Sequence, residues 1–384
     1  MTAKNHSVDA SVLQENLAKG LSIVGRAVST RSTLPVLANI LVEAGEDGRV
    51  KLAATNLEIC ISCMVGAKVA QPFAVTLPAK TFADLVGAFS PERVDFAFNR
   101  ATQTMHLACA RTEANLKGID AAEFPMIPVM PDSDHVVIKS EVLKRLIAQV
   151  AFAAANDDTK PILAGVLTVL EGKSITMVTT DGFRLSEATG ELVAAAAAPV
   201  RIVIPAKSLT ELGKVIGDEE EVAIAFPPGA KQVVFSVGAI TLVSQLIDGN
   251  YPDYKPVIPK SHRTRTVVGR GEMLRAVKQS AIFAREASNT MSVWVNPGTE
   301  VAAATLHVNG TSSETGDNLS VVDATVTGEE IAISLNAAFL TQVIGAIGTP
   351  QIAIQTNGPT EPAVLLPVGE NGFRHIIMPM QIGR

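Results

Sequence analysis

Apolar residues recur along this chain with two alternating periods. Leu13, Leu17, Leu21, Val24 and Val28 share one face of a 3.6-residue helix. Val94, Phe96 and Phe98 instead alternate with polar or small residues, as in a half-buried strand. Helical stretches open near Ser11, Glu141 and Glu272, which predicts helices over 11–29, 141–155 and 272–287. A second helical signal begins at Leu77-Pro78-Ala79-Lys80 and returns 127 positions later as Ile204-Pro205-Ala206-Lys207. Apolar residues follow at matching offsets, Phe82 and Leu85 in the first copy, Leu209 and Leu212 in the second. Leu335-Asn336-Ala337-Ala338, followed by Leu340 and Val343, is a weaker third copy in which Asn336 can cap the helix. These signals predict helices over 78–89, 205–216 and 336–347. Strand alternation resumes at Val222, Ile224 and Phe226 and at Ile352 and Ile354, with Pro227-Pro228-Gly229 and Asn357-Gly358-Pro359 as hairpin turns.

A further marker keeps the same spacing: Phe124-Pro125, Tyr251-Pro252 and Met378-Pro379 lie 127 positions apart. A chain of 384 residues exceeds what one core serves, and a third of it, 128 residues, is an ordinary domain. The expectation is an α+β fold of three repeated domains, each with two helices packed on about eight short antiparallel strands. The proline-bearing segments 125–131 and 252–259 place the boundaries at 1–131, 132–259 and 260–384. The alanine run Ala194 to Ala198 reads as a loop.

Catalytic patterns fail on inspection. Gly172-Lys173-Ser174 lacks the earlier glycine of a phosphate loop, since Leu167 stands there, and reads as a hairpin turn. Gly269-Arg270-Gly271 has no third glycine and reads as a turn. In an alternating strand the thiols of Cys60 and Cys63 point to opposite faces, and no second pair completes a zinc site; His106 and Cys109 lack partners likewise. Asp157-Asp158 reads as a solvated loop pair. The expectation is a protein without catalytic residues, metal or cofactor. Three cysteines are too few for a disulfide framework, and no apolar run reaches about 18 residues, which fits a cytoplasmic protein.

The net charge of −6 excludes a basic nucleic-acid coat. The charge is unevenly placed, however. The six predicted helices carry ten basic and six acidic residues, which leaves −10 elsewhere. Lys19 and Arg26 are seven apart on one helical face, and Lys278 and Arg285 repeat that spacing. With Lys144, Arg145 and Arg275 they form a candidate surface for phosphates, read without base contacts. An acidic remainder makes such affinity modest, a shortfall that an encircling topology overcomes.

Thr33-Leu34-Pro35-Val36-Leu37, Leu77-Pro78-Ala79-Lys80, Thr180-Asp181-Gly182-Phe183-Arg184-Leu185, Asp248-Gly249-Asn250-Tyr251-Pro252-Asp253-Tyr254 and Ile377-Met378-Pro379-Met380 together resemble the bacterial DNA sliding clamps, from about Ser7 to Ile382. The resemblance implies clamp-type domains closing as a homodimer into a six-domain ring around double-stranded DNA, bound without sequence preference. It also implies a processivity role in DNA replication, with polymerase III alpha subunit, clamp loader and other peptide-bearing proteins as partners and no membrane contact. The implied peptide pocket uses Leu163, Thr180, Gly182, Arg184, Leu185, Pro252, Val257, Ile376, Met378, Pro379 and Met380. Arg184 is expected at its rim, where water screens its charge, while Met378-Pro379-Met380 also reads as a buried final strand. The resemblance adds Arg31, Lys80 and Lys207 as DNA contacts. It sets Leu116 against Ile282 and Phe283 across the dimer interface, although the last two could equally be core. Pro256 and Gln381 stand where relatives often carry basic residues, which leaves an ionic anchor for a peptide terminus unassigned; Met1 to His6 and Gly383-Arg384 extend past the usual ends. The alternative is a repeat-built peptide-binding scaffold without DNA binding, which circular DNA distinguishes.

Overall fold

The structure is a computed structural model, and it describes residues 7–29, 33–128, 130–131, 135–156, 159–227, 229 and 231–380. Arg31, Asp157, Asp158, Gln381 and the terminal extensions therefore lie outside the described residues. The chain divides into two compact units, Met1–Ser140 with Glu211–Leu246 and Glu141–Thr210 with Ile247–Arg384.

Six helices are present among the described residues: α1 (Gln14–Val24), α2 (Ala79–Ala88), α3 (Ser140–Val150), α4 (Ala206–Val215), α5 (Arg270–Ala284) and α6 (Ala337–Ala346). Each opening helix continues into a short 3-10 turn, at Gly25–Ala27, Ala151–Ala153 and Arg285–Ala287. The first prediction began too early. Ala10–Leu13 is a strand, and Leu13 is 59% exposed rather than part of the apolar face. Its neighbours Leu17, Leu21 and Val24 are buried as expected. Short strands and helix starts overlap in apolar pattern over so few residues, and pairing with Ile59–Val69 and Arg93–Asn99 decides the outcome. Gly269-Arg270-Gly271 is likewise no turn: Gly269 ends a strand at the N-cap and Arg270 opens α5. Asn336 does cap α6, its side chain accepting from the backbone N–H groups of Ala338 and Phe339.

The first unit holds a thirteen-stranded antiparallel array. Helix α1 lies close over it at Gly20, where a Cβ would sit 2.8 Å from the Leu52 side chain and 2.9 Å from Val65, so the contact needs a glycine. Cys63 lies near that contact, whereas Cys60 packs with Ala225, Val234 and Val243. Burial pushes the Cys60 thiol up to about 12, so it behaves as core. Across the α2 side, Phe82 meets Phe96 edge to face at 6.5 Å, both fully buried.

The second unit holds twelve strands. Helices α5 and α6 pack together, and α5 covers Thr305–Ser312 and Gly316–Thr327. At Gly310 a Cβ would fall 2.0 Å from the Ser280 carbonyl oxygen, which fixes how closely α5 approaches. In this unit Arg184–Glu191 pairs antiparallel with Phe373–Ile377, joining second-repeat and third-repeat strands in one sheet. In the first unit, Ile59–Val69 pairs in the same way with Ile240–Gln245.

Candidate functional site

The joined strands of the second unit carry a cleft of about 200 Å³. The segment Thr180 to Leu185 builds one wall by a tight local turn. Asp181 accepts from the backbone N–H groups of Phe183 and Arg184 at 2.9 and 3.0 Å, and Thr180 Oγ donates to the Arg184 carbonyl at 2.6 Å. Gly182 sits at φ +95°, a conformation that favours glycine. The Met378 N–H then donates to the Phe183 carbonyl at 2.8 Å, tying the chain end to this turn. Leu163 comes from a 3-10 turn, Ile376 from the partner strand, and Pro252 and Val257 from the segment around a second 3-10 turn, Lys255–Val257.

Nine of the eleven expected pocket residues line this cleft, all but Pro379 and Met380. Met380 is held elsewhere: its N–H donates to the Ser334 carbonyl at 2.8 Å and its sulfur accepts from Thr290. Sequence reasoning passed over Asp253 and Tyr254 as lining residues, although both lie in a segment that carried the resemblance. Methionine, leucine, valine and proline give the cleft an adaptable apolar lining.

Arg184 contradicts the expectation of a water-screened rim charge. Its side chain is 6% exposed and pairs with Asp181 at 2.9 Å. It also donates to Gln342 of α6 and, at 2.7 Å, to the Phe152 carbonyl, while its guanidinium lies 4.2 Å from the Phe339 ring centroid. The planar fork of arginine explains the placement, because several fixed acceptors compensate one buried charge. Burial lowers its proton affinity and Asp181 opposes that shift.

Beside it, Ser186 Oγ lies 2.6 Å from His375 Nδ1, and His375 Nε2 has no hydrogen-bond partner. Burial, with Arg184 nearby, holds His375 down at about 3, against 6.5 for an ordinary imidazole. The unfolded chain therefore binds a proton that the folded one refuses. Stability is fully present above 6.5 and is lost as pH falls from there towards 3. Urea unfolding is expected to show about 1–2 kcal/mol lost by about pH 5, with a flatter slope in His375→Gln. Equal slopes in the two proteins would mean that the imidazole titrates freely when folded.

The basic positions separate into two groups. Lys19, Arg145, Lys207, Arg275 and Lys278 are exposed, and Lys144 is partly buried. Lys80, 92% exposed, reaches Asp84 at 3.4 Å. Arg26 pairs with Glu211 of α4 at 3.2 Å, which satisfies part of the charge assigned to phosphates. Of the interface residues, Leu116 is buried on the strand Thr112–Lys117, Ile282 is 62% exposed on α5 and Phe283 is half-buried near Gly316. No group of metal-ligating side chains occurs among the described residues, and none of their helices is long and apolar enough to cross a membrane.

Comparison with known proteins bears on the family of the chain. Three family models match in order: the N-terminal domain of the DNA polymerase III beta subunit over residues 9–128, its central domain over 137–253 and its C-terminal domain over 255–381. A beta sliding clamp of Synechococcus elongatus is 30% identical over 375 residues, covering 96% of this chain and 98% of that protein. One from Staphylococcus aureus is 28% identical, covering 93% and 94%. The crystal structure of the DNA polymerase sliding clamp from Bacillus subtilis superposes with a TM-score of 0.91 at 26% identity, covering 99% of this chain and 100% of that one. The beta subunit from Streptococcus pyogenes does so with a TM-score of 0.90 at 26% identity, covering 98% and 100%.

Proposed function

This chain belongs to the DNA polymerase III beta subunit family, the beta sliding clamps, and we propose that two copies close head to tail into a ring around duplex DNA. It is a processivity clamp in DNA replication. In the proposed reading it has no chemistry of its own, acts in the cytoplasm and tethers a polymerase and other proteins through the cleft at Leu185 and Met378. Three domains, 1–131, 132–259 and 260–384, form each subunit, and each matched family segment falls within one of these spans, save that the third begins at 255.

A pattern of strand edges carries the proposal. Ile59–Val69 of the first repeat pairs with Ile240–Gln245 of the second, and Arg184–Glu191 of the second pairs with Phe373–Ile377 of the third. The remaining members of the series are Gly316–Thr327 in the third repeat and Thr112–Lys117 in the first. Thr112–Lys117 pairs only with Thr104–Cys109, and residues 316–323 pair only with Thr305–Ser312, among the described residues. Open edges invite pairing. Leu319 and Val321, each 56% exposed on the second edge, leave apolar surface there to be covered. A second copy supplies the missing partner at each edge, and the same contact made twice closes a two-subunit ring.

Topology then holds the ring on DNA where charge contacts are weak. Exposed Lys19, Lys207, Arg275 and Lys278 support contact with phosphates, and such contacts weaken steeply with salt. Once loaded on a nicked circle, the clamp is expected to survive a high-salt wash and to leave when the circle is cut. Equal retention on circular and linear DNA would sink the ring and favour a peptide-binding scaffold.

A further inference from the structure

A second cavity, of about 610 Å³, lies beside the apolar cleft. The two share Tyr254, which is buried between them. They also share a sheet face. Leu185 pairs with Ile376 on one rung and Glu187 pairs with Arg374 two residues further along. Residues two apart on a strand point to the same face, so the apolar rung and the charged rung lie about 7 Å apart. The turn Lys255–Val257 bridges them similarly, with Val257 on the cleft and Lys255 on the cavity.

The charge of the second cavity is unlike that of the chain. Arg201, Lys255, Lys260 and Arg374 line it against Glu171 and Glu187, in a protein of net charge −6. Arg374 is already matched, since its Nη2 donates to Glu187 at 2.5 Å. Arg201, Lys255 and Lys260 are exposed and make no side-chain ion pair among the described residues. Three uncommitted cations therefore line a cavity whose Glu187–Arg374 rung adjoins the apolar anchor rung. An extended peptide advances about 3.3 Å per residue, so two to four residues carry it from one to the other.

We propose that this cationic cavity is a second subsite of the peptide cleft, receiving carboxylates that lie two to four residues beyond a partner's apolar anchor. The proposal rests on the reading of the cleft as a peptide site. It makes the choice of partner depend on acidic flanks as well as on the apolar motif. Each contact is solvent-exposed and individually weak, so the effect is modest and salt-sensitive.

The test is fluorescence anisotropy with a labelled Gln-Leu-Ser-Leu-Phe peptide, carrying at either end an amidated or acetylated extension of Asp and Glu or of Asn and Gln. An unextended peptide with a free terminal carboxylate separates the terminus from side chains as the source of charge. At about 50 mM salt the acidic extension is expected to bind about five- to tenfold tighter than the neutral one. That preference should vanish in Arg201→Gln/Lys255→Gln/Lys260→Gln, whose three exposed positions leave the core untouched, and at about 500 mM salt. Equal binding of acidic and neutral peptides to the wild type, or a preference that survives the triple change, overturns the subsite while leaving the cleft intact. Failure of every peptide to bind, with Met378→Ala indistinguishable from wild type, removes the cleft reading and the subsite together.

Discussion

Changing Ile282 and Phe283 together to polar residues is expected to convert a dimer of twice the 40.2 kDa chain mass into folded monomers. Ile282 stands 62% exposed on α5, and Phe283 approaches Gly316, where the open strand edge begins. Well-packed apolar anchors at an interface contribute about 2 kcal/mol or more each. A two-subunit ring contains the contact twice, so the pair of substitutions acts at both seams and weakens assembly by about 8 kcal/mol. The dissociation constant then rises by about five to six orders of magnitude, enough to abolish the dimer at micromolar protein. Light scattering reads the mass, and circular dichroism with a thermal melt shows whether the monomer stays folded. A dimer that persists unchanged shows that these side chains do not hold the interface.

The second large effect separates two residues of the same cleft. Arg184→Ala is expected to destabilise the protein by about 3–5 kcal/mol, because it strands Asp181, whose side chain is 14% exposed, along with Gln342 and the Phe152 carbonyl. Arg184→Lys rescues little of this, since an ammonium cannot reproduce the planar fork or its position over Phe339. Met378→Ala behaves oppositely. At 38% exposure it contributes little to folding, yet it lines the cleft, and its truncation should weaken binding of the Gln-Leu-Ser-Leu-Phe peptide by about 1–2 kcal/mol. Urea unfolding and peptide titration on both variants give a crossed pattern. An Arg184→Ala protein as stable as wild type would show that the network adds nothing to folding, and its effect on peptide would then be direct.

The repeat was readable because the same residue types perform the same local task three times. Leu77-Pro78-Ala79-Lys80, Ile204-Pro205-Ala206-Lys207 and Leu335-Asn336-Ala337-Ala338 each end a strand and start a helix, and α2, α4 and α6 begin at Ala79, Ala206 and Ala337. Pairing between strands distant in sequence left no such trace. Ala10–Leu13 runs straight into α1 with an apolar spacing that suits either element, and only its partners across the sheet make it a strand. The cleft divides along the same line. Leu185, Pro252 and Met378 stand in the motifs that carried the resemblance, and Leu163, Val257 and Ile376 followed only from the resemblance itself, whereas the burial of Arg184 depends on Gln342, 158 positions away, and on the turn of Phe152. An arginine in an otherwise polar turn is read as exposed by default. Met380 sits in the same short motif as Met378 but belongs to the Ser334 strand end, a distinction set by one backbone hydrogen bond.

Strand edges also decide where a closed assembly can part. The junctions at Ile59–Val69 with Ile240–Gln245 and at Arg184–Glu191 with Phe373–Ile377 lie within one covalent chain. A break there leaves peptide linkers still joining the two sides. In the proposed ring the seams between copies have no such tether, so they are the natural gates. When one seam opens, the other still holds the loose ends near each other at an effective concentration in the millimolar range. Reclosure is then an intramolecular event, independent of how dilute the protein is. Such a ring shuts by itself, and it is the opening that needs an outside agent to hold it.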